Sequence, residues 1–146
     1  MFALSLSRAL DYQETMRVEP ITFLLGRIFL CLIFFGSGFN KIMNFSGTLE
    51  KMESVGIPLT TIALFVAILI ELVAAAMIML GFKMRYAAGA LIFYVVLATI
   101  YFHNPLAYPP EQQQMQAIQV MKNLSIIGGL LLIMSRGRGP FCLEKE

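Results

Sequence analysis

The chain has 146 residues, of which 58% are hydrophobic and 14% charged, with a mean hydropathy of +0.76 and a net charge of +2. A soluble domain carries about a quarter charged residues, so this composition excludes an ordinary soluble fold and leaves room for one membrane domain. The absence of a basic cluster gives no reason to expect nucleic acid as a partner.

Residues 1–20 set Arg8, Asp11, Glu14 and Arg17 among Phe2, Leu4, Leu6, Leu10 and Met16. Charges placed there, with no small-residue cleavage site after the first apolar run, argue against a cleaved signal peptide. A short interfacial helix and a frayed tail both fit the segment. Four apolar runs follow, at 21–39, 60–80, 86–102 and 115–134, and residues 135–146 form a polar tail. Each run approaches the roughly 17–25 residues that carry a helix across about 30 Å of hydrocarbon. None shows the alternation of a barrel strand. The expected fold is an all-α, four-transmembrane-helix bundle.

Lys and Arg near the span ends set orientation. Arg8, Arg17, Lys83, Arg85, Arg136, Arg138 and Lys145 gather on one side, against Lys41 and Lys51 on the other. This asymmetry places both termini in the cytoplasm. Gly56 and Pro58 turn the chain into the second span, and Gly81 opens a tight turn before the third.

The polar residues inside the runs hold the functional information, because a charge facing lipid costs at least about 2.5 kcal/mol. Arg27 lies inside the first run and Glu71 near the middle of the second. Counting about 1.5 Å per residue along antiparallel helices puts them within roughly 5 Å in depth, so an Arg27–Glu71 pair is expected. Lys122 in the fourth run, with Asn123 and Ser125 beside it, is a second partner for Glu71. Arg27, Cys31, Phe34, Gly38 and Lys41 recur at steps of four and three, on one face of the first helix. Ala67, Glu71, Ala74 and Ala75 form a small-residue face on the second, and membrane helices use such faces to approach closely.

Nearer the outer side, Ser37, Asn40, Lys41 and Asn44 end the first span, while Tyr101, His103 and Asn104 end the third. With Lys122 they would make a basic mouth, unless Lys41 snorkels to the interface. Cys31 and Cys142 fall in a span and in the tail, an arrangement that separates them, and Cys31 reads as a packing residue. No metal, haem, flavin or nucleotide motif is visible.

GR at 26–27, SGFNK at 37–41, GIP at 56–58, ELVAAAMIMLGF at 71–82, Arg85, FH at 102–103, and KN at 122–123 followed by GG resemble, in order and spacing, the DoxX family. The resemblance covers about residues 22–137. Its motif positions fall on Gly26, Arg27, Gly38, Lys41, Gly56, Pro58, Glu71, Gly81, Arg85, His103, Lys122 and Asn123. It implies a bacterial inner-membrane protein, related to members that serve as subunits of quinone-linked oxidoreductases or in oxidoreductase complexes for thiol stress.

Residues and resemblance together suggest a membrane subunit that binds a quinone or similar redox carrier. Glu71, Arg27 and Lys122 would orient and protonate its head, and Lys41, His103, Asn123 and Asn40 would receive a substrate or anion. Such a subunit implies an oxidoreductase partner and leaves self-association open. Two alternatives remain. One is an assembly protein with structural buried charges and the tail 136–146 as its contact; the other is a small anion pathway.

Overall fold

A computed structural model describes the backbone of residues 2–137 and 141–143, and side chains from residue 20 onward within those ranges. The side chains of Arg8, Asp11, Glu14 and Arg17, and the whole of Arg138 and Lys145, lie outside the described residues. The described chain is all helical: α1 (Phe2–Met43), α2 (Phe45–Ser54), α3 (Thr60–Leu69), a π-helical turn (Ile70–Ala74), α4 (Ala75–Leu80), α5 (Met84–Phe102) and α6 (Pro110–Arg136). Four stretches are long and apolar enough to span a bilayer: Pro20–Met43, Thr60–Leu80, Met84–Ala107 and Pro110–Arg136.

Three features differ from the sequence expectation. The N-terminal helix does not stand apart, because α1 runs through Pro20 without interruption. The first loop contains α2, a helix too short and too polar to stand out as an apolar run. The fourth helix starts at Pro110 instead of residue 115; Pro109 and Pro110 occupy helix-start positions, where a missing N–H costs nothing.

Inside a bilayer an apolar side chain gains little by leaving lipid, so packing depends on how closely backbones can approach. Ala74 and Ala75 of the second span and Ala87 and Ala88 of α5 are all buried and bring those helices together. With Cys31, Phe34, Ile78, Leu91, Leu130 and Ile133 they form the core. This core fills the half of the bundle nearer the C-terminal tail, called here the tail end.

Gly38 fixes the register of α1 on the second span. A Cβ there would meet Leu72 Cδ2 at 2.7 Å and Glu71 Cβ at 3.6 Å. A larger residue at 38 would have to displace the Leu72 side chain at this crossing. The crossing places Glu71 beside Gly38, eleven residues along α1 from Arg27, which is about 16 Å. The depth count from apparent span ends therefore misjudged Arg27. The first span extends to Met43, and the crossing point, not the ends of the apolar run, sets relative depth.

Candidate functional site

Glu71 sits in the π-helical turn that interrupts the second span, is 2% exposed and lies among the small residues foreseen for its face. Isolated π turns occur frequently at functional positions. Its cation is Lys41, whose Nζ lies 2.9 Å from Glu71 Oε1. Lys41 Nζ also donates to Ser37 Oγ at 2.6 Å, one turn back on α1. Ser37 Oγ donates to Glu71 Oε1 at 2.9 Å, and Tyr94 Oη of α5 donates to the same oxygen at 2.6 Å. Three donors thus converge on Oε1, while Oε2 is buried with no hydrogen-bond partner.

Lys41 therefore bends inward along α1 to the acid and does not snorkel to the interface. It is 17% exposed, which leaves the pair dry enough for its Coulomb attraction to count. The expected Arg27–Glu71 pair is absent.

Beside the cluster lies a cavity of about 610 Å³. Its polar wall includes Ser37, Asn40, Lys41, Glu71, Tyr94, Tyr101, His103, Lys122 and Asn123, contributed by α1, the second span, α5 and α6. Lys51 of α2 joins them and holds its Nζ 5.7 Å from the centre of the Phe102 ring. His103 Nδ1–H donates to Gln116 Oε1 at 2.9 Å, and Asn123 Nδ2 donates to Thr99 Oγ1 at 2.8 Å. Apolar walls come from Ile33, Val66, Phe93 and Leu97, and these four also face the outside of the bundle. The cavity is therefore open sideways, where lipid chains lie.

Six of the seven sequence-selected residues line this one cavity: Glu71, Lys122, Lys41, His103, Asn123 and Asn40. Two expectations about them change. Lys122 is exposed at the cavity edge and makes no ion pair among the described residues, because Lys41 already holds Glu71. Ser125 turns away and donates to Met121 O at 3.0 Å, so it does not support Lys122.

Arg27 is the exception. It is 0% exposed at the tail end, far from the cavity. Its Nη1 donates to Met84 Sδ at 3.4 Å and Cys142 Sγ at 3.2 Å, and its Nη2 donates to Phe141 O at 3.1 Å. The Phe23 ring centre lies 5.4 Å from its Cζ, within cation–π range. No carboxylate touches it among the described residues.

Residues 141–143 of the tail, the segment that the assembly alternative makes a contact arm, lie against the bundle here, with Leu143 N donating to Leu80 O at 3.1 Å. Cys142, expected to lie apart from the span that holds Cys31, packs against the core that contains it, and the two form no disulfide. Gly81 makes the docking possible: its φ is +71°, and a Cβ there would meet Cys142 Cα at 2.6 Å.

Tyr94 is the functional neighbour that sequence reasoning missed. Within LIFYVV it reads as one more apolar or lipid-facing ring, and only its hydroxyl against Glu71 distinguishes it.

The family model described as DoxX matches residues 22–104, more than half of the chain. The chain belongs to the DoxX family. It is 34% identical over 137 residues to the inner membrane protein YphA of Escherichia coli K12, covering 94% of this chain and 98% of that protein. It is 30% identical over 129 residues to the inner membrane protein YqjF of the same strain, covering 88% and 94%. A more distant relative is the Surfeit locus protein 4 homolog of Schizosaccharomyces pombe, 29% identical over 107 residues, covering 72% of this chain and 34% of that protein. No solved structure matches the chain.

Proposed function

We propose that this DoxX-family protein is an inner-membrane subunit of an oxidoreductase system, and that its lateral cavity binds the polar head of a quinone-type redox carrier. The carrying observation is the cavity itself, with apolar walls open toward lipid and the Glu71, Lys41 and Tyr94 cluster in its polar wall. Ligand pockets commonly have this form, mostly apolar with a few convergent polar groups, at roughly 300–1,000 Å³. A carrier dissolved in the bilayer would enter sideways and leave its tail among lipid chains. Lys122 and Lys41 supply donors for the head oxygens, and Glu71 supplies an acceptor within proton-handling reach of Tyr94.

The two E. coli relatives are named inner membrane proteins, which supports the same location here. The distribution of Lys and Arg supports both termini in the cytoplasm, with the cavity in the outer half of the bilayer. Arg27 has no part in the cavity in this reading and serves the tail end.

The test is the quinone content of protein purified in mild detergent. The parent should carry close to one quinone per protomer, and so should an Arg27→Met variant. A Lys41→Gln, Glu71→Gln double variant, which removes both charges together, should carry almost none. Parent protein without quinone, or a double variant that retains it, would contradict the proposal. In the assembly alternative the docked tail would have to come free of its own bundle before it could act as a contact arm.

A further inference from the structure

We infer that Cys142 is a site of peroxide oxidation, and that its sulfinate becomes the counter-ion of Arg27 and locks the tail onto the bundle. The Arg27 guanidinium is fully buried, and its contacts among the described residues are all neutral: two sulfurs, a carbonyl and a ring. Its Nε is buried with no acceptor. A cation taken out of water without an anion beside it is costly, so this end of the bundle is short of one negative charge. Nη1 already donates to Cys142 Sγ at 3.2 Å, and a charged oxygen carried by that sulfur is a far stronger acceptor for the same group.

The two cysteines differ in what can reach them. Cys31 lies in the core at 1% exposure, whereas Cys142 is half-buried between Phe141 and Leu143, which are both exposed. Phe141 also holds φ at +58°, a backbone state that residues with a Cβ rarely adopt, so the tail is docked against its local preference. An added attraction at Cys142 therefore shifts its docking equilibrium. The chemistry takes two molecules of hydrogen peroxide. In the first step Sγ bonds to one peroxide oxygen and the O–O bond breaks. Sulfur loses two electrons, and the departing hydroxide leaves as water with the thiol proton. The second peroxide repeats this on the sulfenic acid and gives a sulfinic acid, which releases its proton to water and carries the negative charge.

Peroxide treatment of the purified protein in mild detergent, followed by peptide mass mapping and timed chymotrypsin cleavage after Phe141, tests this. Cys142 should gain two oxygens while Cys31 stays a thiol. Cleavage of the oxidised parent should be about tenfold slower than of the reduced parent, as one added hydrogen bond between charged groups implies for a site cut from its open form. In Arg27→Met the same oxidation should speed cleavage, because the sulfinate then faces an apolar chain. Should Arg27→Met fail to fold, Cys142→Asp decides: without peroxide it should be cut about tenfold more slowly than Cys142→Ser. Equal oxidation of Cys31 and Cys142, a Cys142 that resists peroxide, equal slowing in the parent and Arg27→Met, or equal cleavage of Cys142→Asp and Cys142→Ser would overturn the inference.

Discussion

The two buried charges among the described residues are housed in opposite ways. At the tail end Arg27 is enclosed by neutral groups, two sulfurs, a carbonyl and a ring, and by a tail that folds back over it. At the other end Glu71 has a cation and two hydroxyls on one oxygen and a cavity alongside. The first arrangement closes a structure. The second holds a charge at a place that small molecules can reach. Burial of an ionisable group therefore says little about function until its partners are known, and here the partners separate a latch from a candidate site.

The largest effect should come from breaking the ion pair on one side only. Lys41→Met leaves the Glu71 carboxylate buried without its cation and should cost about 3–5 kcal/mol, read as loss of resistance to SDS unfolding. Adding Glu71→Gln to it should recover most of that loss, since an unpaired charge is worse than no charge. Tyr94→Phe removes one donor from the same oxygen and should cost about 2 kcal/mol, the range for hydrogen bonds to charged groups.

At the other end, Gly81→Ala puts a Cβ against the Cys142 backbone at a positive φ, and should cost about 1 kcal/mol. Its clearer signature is faster maleimide labelling of Cys142 as the tail lifts. Arg27→Met should be smallest in stability, within about 1 kcal/mol, because an apolar chain of similar length replaces a charge that has no described counter-ion. A loss like that of Lys41→Met would show that Arg27 carries more than the latch described here.

Much of this architecture was legible in the sequence. The apolar runs announce the spans, and the three-and-four spacing of Arg27, Cys31, Phe34 and Gly38 marks the face that is buried. Polar side chains are conspicuous in apolar runs and at their ends, so Glu71 and Asn123 within runs, and Lys41 and His103 just past them, could be picked out before any contact was known. What could not be read was which of them meet. Depth counted from hydropathy edges carries an error of several residues, and that error moved Arg27 next to Glu71. Gly38 fixes the true register, but its significance depends on Leu72 across the crossing. The tail was equally illegible, since its docking depends on Gly81 and on a guanidinium from a distant helix, with no periodic pattern to mark it.

The central claim is that the cavity beside Glu71, and not the Arg27 end, receives a lipid-phase redox carrier. Photolabelling in native membranes with a tailed quinone that carries an azide on its ring, followed by peptide mapping, tests it most directly. Adducts displaced by excess unlabelled quinone should fall on the cavity segments of α1 and α5, around 37–41 and 93–101. Displaceable adducts confined to 23–27, 84–88 or 141–143, or no displaceable adducts at all, would contradict it.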